Sequence, residues 1–217
     1  RGIAYLYVRM DWDKDVFAGG TPTITAQVKG RKVYDPRTAT TAWTDNAALC
    51  IRDYLEQPFG VNSVQSPASL TSSSWNTGAN VCDTLVPLAA GGNQKRYTIN
   101  GIVSTTNSPR SNIQKMLTAC GGTLFWGQGQ WQFKAGYLPA GPYLSLNAGD
   151  LRSGINLVTR NSRKENFNAV TGIFVDKNQR YTEVEYPKVS SVVFLARDNG
   201  QENILDVTLP FTVTASA

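Results

Sequence analysis

The chain of 217 residues contains no histidine. That absence removes every histidine-dependent catalytic triad, the usual zinc-hydrolase ligand sets and the commonest general base. Cysteine is scarce as well. Cys50, Cys82 and Cys120 are an odd number without CxxC spacing, and suggest neither a disulfide framework nor a zinc site. Charged residues make up only 17% of the chain against 41% hydrophobic, the balance of a globular protein. No run of about 18 apolar residues exists that could cross a bilayer. An initiator methionine, a signal peptide and a targeting segment are also lacking. The chain opens on Arg1-Gly2 and runs straight into Ile3-Ala4-Tyr5-Leu6-Tyr7-Val8, a strand already in progress, so a portion of a longer polypeptide is expected.

What is present is enough sequence for a sizeable core, roughly 70% of the unfolded surface being hidden at this size, in one large domain or two small ones. The net charge of +5 invites a nucleic-acid reading. The cations are scattered, however. The closest clusters, Lys29 with Arg31 and Lys32, then Arg160 with Arg163 and Lys164, are short and flanked by apolar sequence, which reads as solvated faces or protein-interface charge. Cys50 and Cys120 fall on the apolar faces of predicted helices, where free cysteine behaves as a small hydrophobe.

The hydrophobic pattern gives the elements. Residues 3 to 10 and Thr23 to Tyr34 read as strands joined across Gly19-Gly20, the second alternating Ile24, Ala26 and Val28 with Thr25, Gln27 and Lys29. Asp35-Pro36 marks a turn. Asp45 can cap a helix whose apolar positions are Ala47, Ala48, Ile51, Tyr54 and Leu55, ended by Pro58 and Gly60. Residues 61 to 74 read as a surface excursion, and Trp75, Ala79 and Cys82 share one face of a short helix. Tyr97 to Thr105 reads as a strand after the break at Gly91-Gly92. Ser108-Pro109 opens a second firm helix, with Ile113, Met116, Leu117 and Cys120 at i, i+3, i+4 and i+7 and Gly121-Gly122 as its stop. Aromatic strands around Leu124-Phe125-Trp126 and Trp131 to Tyr137 flank the turn Gly127 to Gln130. Trp131, Phe133, Ala135 and Tyr137 should share a face that packs under the helix. Five short strands follow: Ile155–Thr159, Phe167–Val175, Tyr181–Tyr186, Val192–Ala196 and Ile204–Leu209, with a hairpin turn at Asp176-Lys177-Asn178.

The expected fold is therefore α+β, mostly antiparallel β in barrel-like or sandwich-like sheets with two to three short amphipathic helices. Residues 1–60 form a strand hairpin plus helix, 61–95 a loop-rich excursion, 96–150 a helix plus aromatic hairpin, and 151–217 a β-rich segment, in one or two intertwined domains. Core candidates are Ile51, Leu55, Ile113, Met116, Leu117, Trp126, Trp131 and Phe133.

Candidate chemistry is thin. Glu183 and Glu185 share a strand face and could imitate a glycosidase carboxylate pair, but a solvent-facing strand edge is the preferred reading. Asp11, Asp13 and Asp15 imitate the opening of a calcium loop, yet Val16 and Pro22 stand where that loop needs glycine and glutamate. Gly91 to Arg96 and Gly127 to Gln130 are glycine-bearing turns without P-loop or dinucleotide spacing. No catalytic, cofactor-binding or metal-ligating residue is assigned.

Four segments carry a resemblance: VKGRKVYDPRT (28–38), WTDNAALCIRDYLEQPFG (43–60), RYTINGIVSTTNSPRSNIQKMLTACGGTLFWGQGQWQFKAGY (96–137) and TRNSRKENFNAVTGIFVD (159–176). In this order and spacing the chain resembles the central module of bacteriophage tail-tip or baseplate-hub proteins, the family that includes the lambda-type tip attachment protein. The Ser-rich stretch Val61 to Ser74 departs from it. The resemblance implies a virion protein assembled in the bacterial cytoplasm: a homotrimeric hub of barrel-like domains that closes the distal end of the tail tube, contacts neighbouring tail proteins and continues into a central fibre. It implies no enzyme activity and no cofactor. Nucleic acid would be met only in transit. Two rival readings are a receptor-binding module that recognises host surface sugar or protein through Trp126, Trp131 and Tyr137, and a cell-wall hydrolase using Glu183 and Glu185.

Overall fold

The computed structural model describes residues 5–62, 73–88, 91–127, 129–137, 145–151, 153–154, 162 and 165–214. The expected strand at Ile155–Thr159, the cluster Arg160, Arg163 and Lys164, and residues 63–72 of the Ser-rich excursion lie outside them.

Three helices and three two-stranded hairpins build the main core. The first hairpin pairs β1 (Lys32–Asp35) with β2 (Thr40–Trp43), Val33 opposite Ala42. The turn between them follows from Asp35: its carboxylate accepts the Arg37 backbone N–H at 2.9 Å, and Ala39 takes positive φ at the end of the turn. Helix α1 (Ala47–Glu56) comes next, with all five apolar positions read from the sequence buried. Its cap is Asn46 rather than the expected Asp45. Asn46 is wholly buried, accepts the Leu49 N–H at 3.2 Å and donates to the Ala79 carbonyl at 2.9 Å. Asp45 cannot do both, because a carboxylate has no N–H to give.

Helix α2 (Ser73–Asp83) lies across α1 and buries Trp75, Ala79 and Cys82. The hairpin of β3 (Leu85–Pro87) and β4 (Asn93–Lys95) follows, with Gly91 and Gly92 in its turn at positive φ. Helix α3 (Pro109–Thr118) is opened by Ser108, whose hydroxyl accepts the Ser111 N–H, and its end turns at Gly121 in the left-handed region. It feeds directly into the hairpin of β5 (Thr123–Gly127) and β6 (Gln130–Lys134). Trp75 stacks on Phe133 with centroids 5.2 Å apart and gives its indole N–H to the Trp131 carbonyl at 3.0 Å. A methyl group at Gly78 would stand 2.4 Å from the Phe133 ring, so glycine there is what lets α2 settle on β6.

The remaining sheet has the order β10–β7–β8, with β9 also on β7: β7 (Ala169–Asp176), β8 (Thr182–Glu185), β9 (Val189–Ser190) and β10 (Ile204–Leu209). β10 runs parallel to β7, and β8 and β9 run antiparallel to it. The Asp176 turn joins β7 to β8 as expected, through a single 3-10 turn. At Gly172 an added methyl would fall 1.9 Å from the Val207 carbonyl oxygen, so glycine is required for β10 to lie against β7. The two parts meet at Phe211: it is buried in the main core, accepts the Asn100 N–H at 3.0 Å, and lies on Gly101, where a methyl would collide with its ring.

The architecture is α+β, with short helices, small and mostly antiparallel sheets, and no closed barrel among the described residues. Four expected strands are corrected in whole or in part. Residues 5–10 and 21–31 join no ladder; their alternation marks two faces but supplies no partner strand. The hairpin expected across Gly19-Gly20 is replaced by a turn in which Trp12 stacks on Phe17. Tyr97 to Thr105 forms only an isolated bridge, Thr98 to Asn46; Ile99 and Asn100 bond singly to two different segments. Val192–Ala196 lies in helix α4 (Val192–Arg197), because the Ser191 hydroxyl caps it and Gly200 closes it with an N–H to the Leu195 carbonyl. The local caps outweigh the β preference of two valines.

Candidate functional site

Three surfaces concentrate polar or exposed aromatic chemistry. The first is a cleft of about 240 Å³ between the β1–β2 hairpin, the end of α2 and β4, lined by Asp35, Arg37, Thr40, Trp43, Asp83 and Lys95 among others. Arg37 is its hub. Its guanidinium holds Asp35 and Asp83, each at 2.8 Å, and reaches the Asn80 side-chain oxygen at 2.9 Å. Lys95 bridges Asp83 at 3.1 Å and Asp45 at 2.9 Å. The Arg37 hydrogen bond holds the Asp35 carboxyl below its usual range. Burial pushes Asp83 the other way, but hydrogen bonds from Arg37 and Lys95 outweigh it and keep its carboxyl low too. Burial likewise opposes the Lys95 charge, and its two aspartates restore and raise its pKa. Every charge in this network faces a partner, so the cleft ties three elements together and holds Asp35 and Asp83 ionised. The sequence signal was Asp35-Pro36-Arg37, legible as a turn but not as half of an ion network completed 46 residues later.

The second surface is the turn end of the β5–β6 hairpin. Trp126 sits opposite Trp131, edge to face at 5.4 Å. Among the core candidates, Ile51, Leu55, Ile113, Met116 and Phe133 are buried, while Leu117 and Trp131 are half-buried against the core. Trp126 is corrected: it shares the face of Leu124 but lies at the turn end of the hairpin, opposite half-buried Trp131, and it is 49% exposed while Leu124 packs against the core. Tyr137 is 41% exposed, with the Arg96 guanidinium 4.8 Å from its ring centre. A shallow hollow of about 380 Å³ beside it is lined by Gly121, Thr123, Lys134 and Gly136.

The third surface is the unpaired run 5–31 with the free edge of β8. Lys29, Arg31 and Lys32, adjacent in sequence, do not form a patch: Lys29 lies over the Trp43 ring and Arg31 pairs with Asp53 at 3.1 Å. Glu183 and Glu185 are both exposed on β8, pointing to the same side as Ile173 and Val175.

Among the described residues no group of three His, Cys, Asp or Glu side chains is placed to hold a metal ion, and no helix is long and apolar enough to cross a membrane. The cysteines are free thiols. Burial pushes Cys82 up to about 11 and Cys50 and Cys120 up to about 12, which suits packing rather than nucleophilic chemistry. Neither the protein-family models nor the curated proteins compared with this chain give a match.

Proposed function

We propose that this chain is a structural part of a phage tail-tip or baseplate hub, working by holding its shape and docking to copies of itself and to neighbouring tail proteins. The observation that carries the reading is the run 5–31. Apart from one turn it has no regular secondary structure, joins no ladder among the described residues, and leaves Tyr5 89% and Trp12 72% exposed. Apolar side chains and unpaired backbone in such a run gain most when another polypeptide covers them. The braced core behind it, with helices fixed by buried polar bonds and an ion network, gives the rigidity a docking scaffold needs. The four sequence segments supply the hub identity. An antibody raised against this chain should label the distal tail tip of intact particles. Label along the tail shaft or on the capsid would refute the assignment.

A second reading, a receptor-binding module, is favoured by the open rings of Trp126 and Tyr137. Aromatic faces of this kind stack on sugars and on protein side chains. It predicts saturable binding to host-envelope preparations that is lost in Trp126→Ala with Tyr137→Ala. Unchanged binding in that double variant would remove it.

A further inference from the structure

We propose that the free edge of β8 accepts residues Gln27–Arg31 of a second copy of this chain as an added parallel strand. The inference rests on the self-docking reading above and names the surfaces that dock.

Among the described residues β8 pairs only with β7, so its outer edge presents unpaired backbone groups. On its outward face stand Glu183 and Glu185, both exposed and two residues apart, with no ion pair to either among the described residues. The run 21–31 offers the complement. It is exposed throughout, belongs to no helix or strand, makes no backbone–backbone hydrogen bond among the described residues, and alternates Gln27, Lys29 and Arg31 with Ala26, Val28 and Gly30.

One contact already brings the two segments together. The Gln27 side-chain amide donates to the Tyr181 hydroxyl at 2.5 Å, immediately before β8 begins. A parallel strand continued from that contact places Lys29 opposite Glu183 and Arg31 opposite Glu185. Val28 then lies on the face of Val184, which pairs with buried Phe174. A shift of one residue would put both cations on the wrong face.

Within a single chain the match stops at its first pair. Lys32 is held opposite Trp43 in β1, and the residues leading to it turn toward Trp43 and Asp53. A second copy can place itself as a whole along the edge, its Gln27 taking the position on Tyr181 that the chain's own Gln27 holds. The contacts given up are weak, since the Arg31 side chain is more than half exposed in its pair with Asp53. Donor run and acceptor edge are different surfaces of one chain, so the contact is head-to-tail and closes into a ring when the rotation allows.

Two chains, one carrying Val28→Cys and the other Thr182→Cys, test this when mixed under mild oxidation, with the product located by peptide mapping because Cys50, Cys82 and Cys120 remain as free thiols. A Val28–Thr182 disulfide between chains is expected. Absence of that product while the chains still associate would overturn the strand pairing and leave the self-docking reading standing. Absence of any association, by sedimentation at the highest soluble concentration, would overturn both. Charge reversal gives the second arm. Lys29→Glu with Arg31→Glu, or Glu183→Lys with Glu185→Lys, should each weaken association about ten-fold. Mixing the two reversed chains should restore it, because each then offers the other a complementary surface. Equal association in all four samples would overturn the proposal.

Discussion

Single residues fix this fold where backbone meets backbone or a buried polar group meets its partner. Gly172 is the sharpest case: Gly172→Ala forces a methyl into the Val207 carbonyl and should destabilise the chain by about 2 kcal/mol or more, read as a lower denaturant midpoint at unchanged slope. Asn46 both caps α1 and bonds the Ala79 carbonyl, so Asn46→Ala should cost about 2 kcal/mol, toward the upper end for a lost cap. Asn46→Asp keeps the cap, loses the donor to α2 and should recover only part of that. Neither role is written in the residue itself. The pattern points to Asp45 as the cap, and only the packing of α2 on α1 shows that the cap position needs an acceptor that must also donate.

At the scale of elements, what sequence could show depended on whether the element carries its own signals. Helices α1 and α3 do: a polar cap, a 3.6-residue apolar stripe and a proline or glycine boundary all lie within about fifteen residues, and both helices stand where the sequence places them, α1 with its cap one residue later. The β5–β6 hairpin was equally legible from its aromatic strands and glycine turn. The run 23–31 was not, because alternation specifies two faces and says nothing about whether a partner strand lies in the same chain. Helix α4 was missed because Val192, Val193 and Phe194 look like strand until Ser191 and Gly200 are seen as its ends. The Arg37 network was invisible for a different reason, since its acids come from three separate elements. The hairpin makes a contrast that substitution can check. Phe133→Ala removes the ring stacked on Trp75 and should cost about 3–5 kcal/mol, whereas Trp126→Ala removes a half-exposed ring and should cost about 1 kcal/mol in thermal or denaturant unfolding.

For the whole molecule, a braced core beside a long exposed run, residues 5–31, is suited to being covered by other chains. Its stability should also respond to pH through the Arg37 network. Asp35 and Asp83 have folded pKa values below their ordinary ones, so their ionised forms stabilise the fold above the ordinary carboxylate range, and that contribution is lost as pH falls through the lowered values. Unfolding midpoints followed from pH 7 to pH 2 should drop below about pH 4, and Arg37→Met should flatten that part of the curve. An unchanged profile in Arg37→Met would show that the acid sensitivity comes from elsewhere.

The number and placement of copies in the assembled particle bear most directly on the hub proposal. Imaging of intact tail tips at side-chain resolution should find three copies of this chain around the tube axis at the distal end. Six copies on the tail exterior, or a chain absent from the particle, would contradict it.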